Sequence, residues 1–227
     1  MSIRVNAIGI AVLSVLAFFA SAASTSVQDN SAYDLVQNTT EQVMDVVMAA
    51  DEYVDADPER YYTQIQDLLD PLIDFRGFAR NVMGPYASSK RYRSLDESGR
   101  EQLKSQLDRF TAVMRSSLVR TYSKGLLAFG GSRIELVRPE TGENDEAVDS
   151  RLSVRQLIYA DRAQPYELMY QMGREKSGGW KLRNVIIEDV NLGEIYRDQF
   201  LTSAREQDGN LEAVIDTWTV VIVDVDE

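Results

Sequence analysis

The chemistry open to this chain is bounded by two absences: among its 227 residues there is no His and no Cys. Ser-His-Asp triads, Cys nucleophiles, Cys/His zinc sites, haem ligation by His and iron–sulfur clusters are therefore excluded. Carboxylate, Tyr, Lys and Ser/Thr groups remain. Tyr122, Tyr159, Tyr166, Tyr170 and Asp189 are the residues that could do acid–base work in an apolar pocket, as a buried Asp or Tyr does in some isomerases. No spacing among them marks an acid paired with a base. No catalytic residue, metal centre or cofactor is expected. The other group with directed chemistry is arginine, which bonds a phosphate or carboxylate through two parallel N–H groups, whereas Lys acts as a point charge.

Those arginines are unevenly placed. The formal charge is −12, with 24 bases against 36 acids, which argues against nucleic acid as a partner. Residues 29–74 carry 12 acids and one base, and residues 188–227 carry 11 acids and two bases. Between them, residues 75–130 carry 11 bases and 4 acids, a net of +7, while residues 131–187 balance at nine each. Such a basic segment is either a site for an anionic ligand or partner, or a solvated helical face paired with the acidic flanks.

The elements that must position these groups follow from periodicity. Arg4 precedes an apolar run from Ile8 to Ala20 that ends in Ala20-Ser21-Ala22, the parts of a secretory signal with cleavage before Ala23. The run is too short for an ordinary membrane span. Its removal leaves 23 bases against 36 acids, an exported chain whose fold rests on its core without disulfides. Val36, Val43, Met44, Val47 and Met48 form a helical stripe, and Tyr61, Ile65, Leu68, Leu69 and Leu72 another behind Pro58. Asp74 caps a short helix that Gly84-Pro85 stops. Ser94-Leu95-Asp96-Glu97 reads as a capping box opening the longest helix, which runs to Gly130-Gly131. The texture then changes. Ile134 and Leu136 alternate, residues 139–149 read as a polar loop, and Leu152, Val154 and Ile158 share a period of two. Tyr166, Leu168, Tyr170 and Met172 repeat that spacing, a fourth strand spans Trp180 to Val190, and helices cover Leu192–Arg205 and Leu211–Trp218. The fold class is α+β: a helical N-terminal half packed on a curved antiparallel sheet of about four strands, with C-terminal helices. The division expected is a signal peptide over 1–22, one domain over 23–218 and a C-terminal tail over 219–227.

Four pieces in this order carry a family resemblance: Leu72-Ile73-Asp74-Phe75 with Ala79-Arg80-Asn81-Val82-Met83-Gly84; Leu118-Val119-Arg120-Thr121-Tyr122; Gly178-Gly179-Trp180-Lys181 running into Val185-Ile186-Ile187-Glu188; and Tyr196-Arg197-Asp198-Gln199-Phe200. Together they resemble the MlaC, or toluene-tolerance, family of periplasmic phospholipid carriers, over roughly Tyr33 to Trp218. The resemblance implies a cone-shaped sheet like that of nuclear transport factor domains, a pocket for phospholipid acyl chains, and a periplasmic location. It also implies two partners, an outer-membrane lipoprotein complex and an inner-membrane ABC transporter complex. Where the family usually reads Glu-Gly-Val-Ser, this chain has Glu188-Asp189-Val190-Asn191, an Asp where Gly would take a positive φ freely.

Lipid carriage is physically consistent with these residues. Each wetted CH₂ costs about 0.8 kcal/mol, so about 30 exposed methylenes cost over 20 kcal/mol, and the protein need only match a membrane in hiding them. The expected pocket is dry and lined from both sides: Val154, Ile158, Leu168, Tyr170, Val185 and Ile187 on the sheet, with Leu118, Tyr122 and Leu126 on the long helix. Arg76, Arg80 and Arg120, within or beside the matching stretches, are expected to meet a lipid phosphate or an acidic partner surface. The net acidity disfavours adsorption to bare anionic bilayer and favours docking on membrane proteins. The expected state is a monomer. Two alternatives remain at this point, an enzyme on the same cone fold and a ligand-free adaptor.

Overall fold

The computed structural model describes residues 31–138 and 150–220. The expected signal peptide over 1–22, the polar loop over 139–149 and all but the first two residues of the tail over 219–227 lie outside the described residues.

Helices come first: α1 (Ala32–Ala50), α2 (Pro58–Leu69), α3 (Phe75–Met83), a 3₁₀ turn (Gly84–Ala87), α4 (Ser89–Ser94) and α5 (Glu97–Leu127). Side-chain caps explain where most of them begin. Ser31, Asp57, Asp74, Ser88 and Asp96 each accept from a backbone N–H in the first turn of the helix that follows, satisfying a donor the helix itself cannot. Two local expectations need correction. The cap of α5 is Asp96, accepting from the Gly99 N–H at 2.7 Å, because Ser94 is taken up closing α4, its hydroxyl donating to the Arg91 carbonyl at 2.7 Å. Helix α2 also stops at Leu69, before Leu72, because the next residues join the sheet: the Asp74 N–H donates to the Leu182 carbonyl (3.0 Å) and the Leu182 N–H to the Leu72 carbonyl (2.8 Å).

The sheet follows as an antiparallel meander in the order β1 (Arg133–Val137), β2 (Arg151–Tyr159), β3 (Tyr166–Arg174), β4 (Trp180–Ile187) and β5 (Val190–Asn191), one short strand more than expected. Its register places Ile134 opposite Ile158, Val154 opposite Tyr170, and Tyr170 opposite Val185. Between β3 and β4 the register shifts, Gln171 facing Asn184 but Met172 facing Leu182, so Arg183 is an extra residue. A bulge of this kind reverses side-chain alternation. It is why Trp180 and Leu182 share the inner face with Val185 and Ile187. Helices α6 (Leu192–Glu206) and α7 (Leu211–Asp216) follow the sheet, which packs chiefly on α1, α3 and α6.

The buried side chains form three clusters rather than one. The first unites α3, α5, α6 and α7 around Phe110, Phe200 and Trp218, whose rings meet at centroid distances of 4.9, 5.1 and 5.9 Å. The second joins Ala32 and Val36 of α1 to Val154, Met172, Trp180 and Leu182 of the sheet. The third joins α1 and α2 to the C-terminal half of α5 through Val47, Tyr61, Ile65 and Val119. Side chains shared between clusters are all half-buried: Val185 between the first and second, Leu118 between the first and third, Leu69 and Ile73 between the second and third.

Candidate functional site

The inner face of the sheet is apolar along every strand because alternation sends the charged residues of β2 outward. Arg151, Ser153 and Arg155 are exposed, whereas Val154, Gln156 and Ile158 are buried. By register, all six sheet residues expected at a ligand pocket fall on that face. They are not equivalent. Val154 is fully buried against α1, and Ile158 is 5% exposed, whereas Leu168, Tyr170, Val185 and Ile187 are half-buried.

Leu118, Tyr122 and Leu126 of α5 are also half-buried. They diverge in what they touch. Leu118 and Tyr122 pack on the first cluster beside Val185 and Ile187, while Leu126 belongs with α1 and α2 in the third. Leu118, Tyr122, Val185 and Ile187 thus pack on one cluster, and Leu126 on another, to which Leu118 also belongs.

Polar groups enter this region in pairs. The Tyr170 hydroxyl donates to Oε1 of Gln156 at 2.6 Å, and Nε2 of Gln156 donates to the Thr40 hydroxyl at 2.9 Å, a chain from sheet to α1. Gln156 is only 2% exposed, so these bonds satisfy an amide that burial would otherwise penalise. The Tyr122 and Tyr196 hydroxyls share a hydrogen bond of 2.7 Å. Burial pushes the Tyr170 phenol well above the usual range and does the same to Tyr196, whose bond to Tyr122 adds to it. Tyr122 is raised by burial against the opposing effect of Tyr196. Phenols held neutral in this way serve as fixed donors and acceptors, not as bases poised near pH 7.

Of the remaining residues that could do acid–base chemistry, Tyr159 and Asp189 lie apart, while Tyr166 stands opposite Ile158 at the end of the same face. Tyr159 faces away on the outer side, under the Arg133 guanidinium (3.5 Å to the ring centroid) and bonded to Glu135 at 3.1 Å. Tyr166 is held between Phe129 and Arg162, and Asp189 is exposed in the β4–β5 turn with φ of 66°.

The three arginines expected at a phosphate or partner do not share one site. Arg76 pairs with Asp108 of α5, and Arg120 forms a two-pronged pair with Glu59 of α2, both bonds 2.6 Å. Among the described residues Arg80 meets no carboxylate; it bonds the Ala87 carbonyl at 3.3 Å and the Ser89 hydroxyl at 2.7 Å. Arg115 pairs with Asp70, and Arg109 with Glu212 and Asp216. Three of the eleven bases of the segment, Arg109, Arg115 and Arg120, are thus matched by the acidic segments on either side of it, while Arg76 pairs within the segment. Sequence reasoning passed over Leu69, Ile73 and Tyr196 as site candidates, although helical spacing already marked Leu69 as apolar-facing. It also passed over Gln156, a polar residue at an apolar position of an alternating strand, which is itself a readable signal.

The family model described as "MlaC protein" matches residues 37–220. The toluene tolerance protein Ttg2D of Pseudomonas putida is 27% identical over 187 residues, covering 82% of this chain and 79% of its own length. Among solved structures, the phospholipid-binding protein of Ralstonia solanacearum, determined in complex with a phospholipid, shares the fold at a TM-score of 0.61. Its identity is 17%, with 82% of this chain and 93% of that one covered.

Proposed function

The chain belongs to the MlaC family, and on that footing we propose that it holds phospholipid acyl chains along the seam where its three apolar clusters meet. The observation that carries this reading is that Leu118, Val185, Leu69 and Ile73 join those clusters while only half-buried. Separating two clusters along such a seam breaks fewer close contacts than opening a single continuous core, where every methylene is packed on all sides. Acyl methylenes entering there replace water at about 0.8 kcal/mol each, which offsets the separation. The phospholipid complex of the Ralstonia solanacearum relative supports the ligand class. Leu168, Tyr170, Val185 and Ile187 line the sheet side and Leu118 and Tyr122 the helix side, with Leu126 at the margin. Val154 and Ile158 form the floor.

The reading extends to a cellular role. The chain acts as a single domain over residues 23–218, exported to the periplasm after cleavage near Ala23, and works as a monomer without a catalytic step. It receives lipid from one membrane complex and delivers it to another, an outer-membrane lipoprotein assembly and an inner-membrane ABC transporter. Among the described residues no helix is long and apolar enough to cross a membrane. Native mass spectrometry of protein purified from cells tests the central claim. A mass increment matching phospholipid, released by organic extraction, is the expected result; protein that is always lipid-free, even after incubation with phosphatidylethanolamine vesicles, overturns it.

A further inference from the structure

Nine arginines lie against a carboxylate, Arg76, Arg109, Arg115, Arg120, Arg133, Arg138, Arg155, Arg162 and Arg183 each having one within ion-pair distance. Among the described residues, Arg60, Arg80, Arg91, Arg93, Arg100, Arg151, Arg197 and Arg205 have no carboxylate at that distance, and four of these, Arg80, Arg91, Arg197 and Arg205, line one surface depression. Its larger part, about 650 Å³, lies between the α3–3₁₀ corner and α6, bounded by Arg80, Asn81, Gly84, Pro85, Arg197 and Leu201. It continues over Pro85 and Leu201 into a second part of about 360 Å³ that adds Tyr86, Arg91 and Arg205.

The local sequence builds this groove deliberately. Arg197, Leu201 and Arg205 recur every four residues on α6, so they form one stripe, while Tyr196, Phe200 and Ala204 turn inward to the core. Across the groove, Gly84 takes φ of +55°, and a Cβ there would stand 3.2 Å from Nε of Arg197. The glycine thus both turns the chain and lets the guanidinium lie against the 3₁₀ turn. Arg91 stands over the Tyr86 ring at 5.6 Å, and Arg80 is steadied by Ser89. Pro85, Tyr86 and Leu201 make an apolar strip between the cations.

We infer that this groove docks an extended acidic segment of a protein partner, with carboxylates on the Arg80/Arg197 and Arg91/Arg205 ends and an apolar side chain on the Pro85–Tyr86–Leu201 strip. The two-part length and the apolar strip exceed what one phosphate group would occupy. The surrounding net charge of −12 opposes flat adsorption to an anionic bilayer while leaving a short-range pairing of this kind intact. The inference rests on the carrier reading only in expecting a partner protein; the groove residues are separate from the seam that would hold lipid.

The test uses the full mature chain and an eight-residue peptide alternating Glu and Leu, followed by NMR shifts and fluorescence anisotropy. Expected are shifts confined to residues 77–91 and 197–205, with affinity falling at least roughly tenfold in Arg197→Glu/Arg205→Glu, as loss of two charge-assisted contacts requires. Arg197→Gln/Arg205→Gln should weaken binding less, and the Arg76→Glu/Arg120→Glu control should leave it within about twofold, because those side chains lie outside the groove. Absence of peptide shifts in the wild type, or equal losses in the control, overturns the inference. So does binding of phosphatidylglycerol vesicles that depends on Arg197 and Arg205 when the peptide does not, which makes the groove a membrane contact. Inorganic phosphate binding as well as the peptide overturns it in favour of a simple anion site. Native mass spectra of the same variants report lipid content separately, so a failed groove and a failed carrier reading are told apart.

Discussion

Tyr170→Phe removes one oxygen from the inner face of the sheet and leaves everything apolar in place. Its consequence follows from what that oxygen does. The Tyr170 hydroxyl is bonded to Oε1 of Gln156, which is 2% exposed and has its other end committed to Thr40. Without the phenol, Oε1 is a buried acceptor without a partner, a cost of about 1–3 kcal/mol. For a domain of this size each kcal/mol lowers Tm by about 2–4 °C, so a loss of about 4–8 °C is expected at the centre of that range. The double variant Tyr170→Phe/Gln156→Leu removes both partners and should fall short of the sum of the singles by roughly 1 kcal/mol. Thermal and urea melts of the four proteins measure this. Lipid content should stay at the wild-type level, since the ring that would face the acyl chains remains. Tyr170→Phe melting within 1 °C of wild type, or strictly additive singles, would refute the claim that the pair stabilises the face.

Four further outcomes are expected. Leu168→Asp sets a carboxylate where acyl chains would lie, and co-purifying lipid should drop at least about tenfold in a folded protein; full retention of lipid shows that the ligand lies elsewhere. Asp189→Gly relieves a non-glycine residue at φ of 66° and should raise stability by about 0.5 kcal/mol after the glycine's greater unfolded-state freedom is counted. Glu188→Gly in the same turn should destabilise, because its carboxylate accepts from the Glu167 N–H and pairs with Arg162; equal effects of the two changes in urea titration would discount the argument. Finally, burial raises the phenols of Tyr61, Tyr122, Tyr170 and Tyr196, Tyr61 to about 12. Groups raised in the folded state lend stability that is complete below pH 10 and lost as pH climbs toward the folded value. Stability should therefore decline above pH 10, by up to about 1.4 kcal/mol per pH unit for each such tyrosine, and a flat profile from pH 9 to 11.5 would contradict it.

Helix and strand placement was legible in the sequence wherever a local rule acts alone. Asp74 caps α3 as its position before Phe75 implies, whereas the long helix ends at Leu127, short of the Gly130-Gly131 pair expected to stop it. Period-two spacing likewise put Val154 and Ile158, and Leu168 and Tyr170, on one face. The family itself was readable from four short stretches in order. Where two local rules compete, the sequence is ambiguous: Ser94 and Asp96 are both good caps, and only the presence of α4 decided that Ser94 closes one helix while Asp96 opens the next.

What tertiary structure alone decided are the features that depend on two distant segments at once. The bulge at Arg183 sets which residues of β4 face inward, and its register comes from pairing with β3, not from spacing along β4. Leu126 turned to α1 and α2 although it continues the helical stripe of Leu118 and Tyr122, because a long helix presents different flanks to different neighbours as it advances. The charge of residues 75–130 could be counted from the sequence, but its neutralisation could not. Arg120 meets Glu59 and Arg109 meets Glu212 across 61 and 103 residues of chain, and Coulomb attraction depends on separation in space alone. Composition therefore determined how much positive charge the segment carries, and the packing of α5 between the acidic flanks determined which of its arginines meet a carboxylate across them.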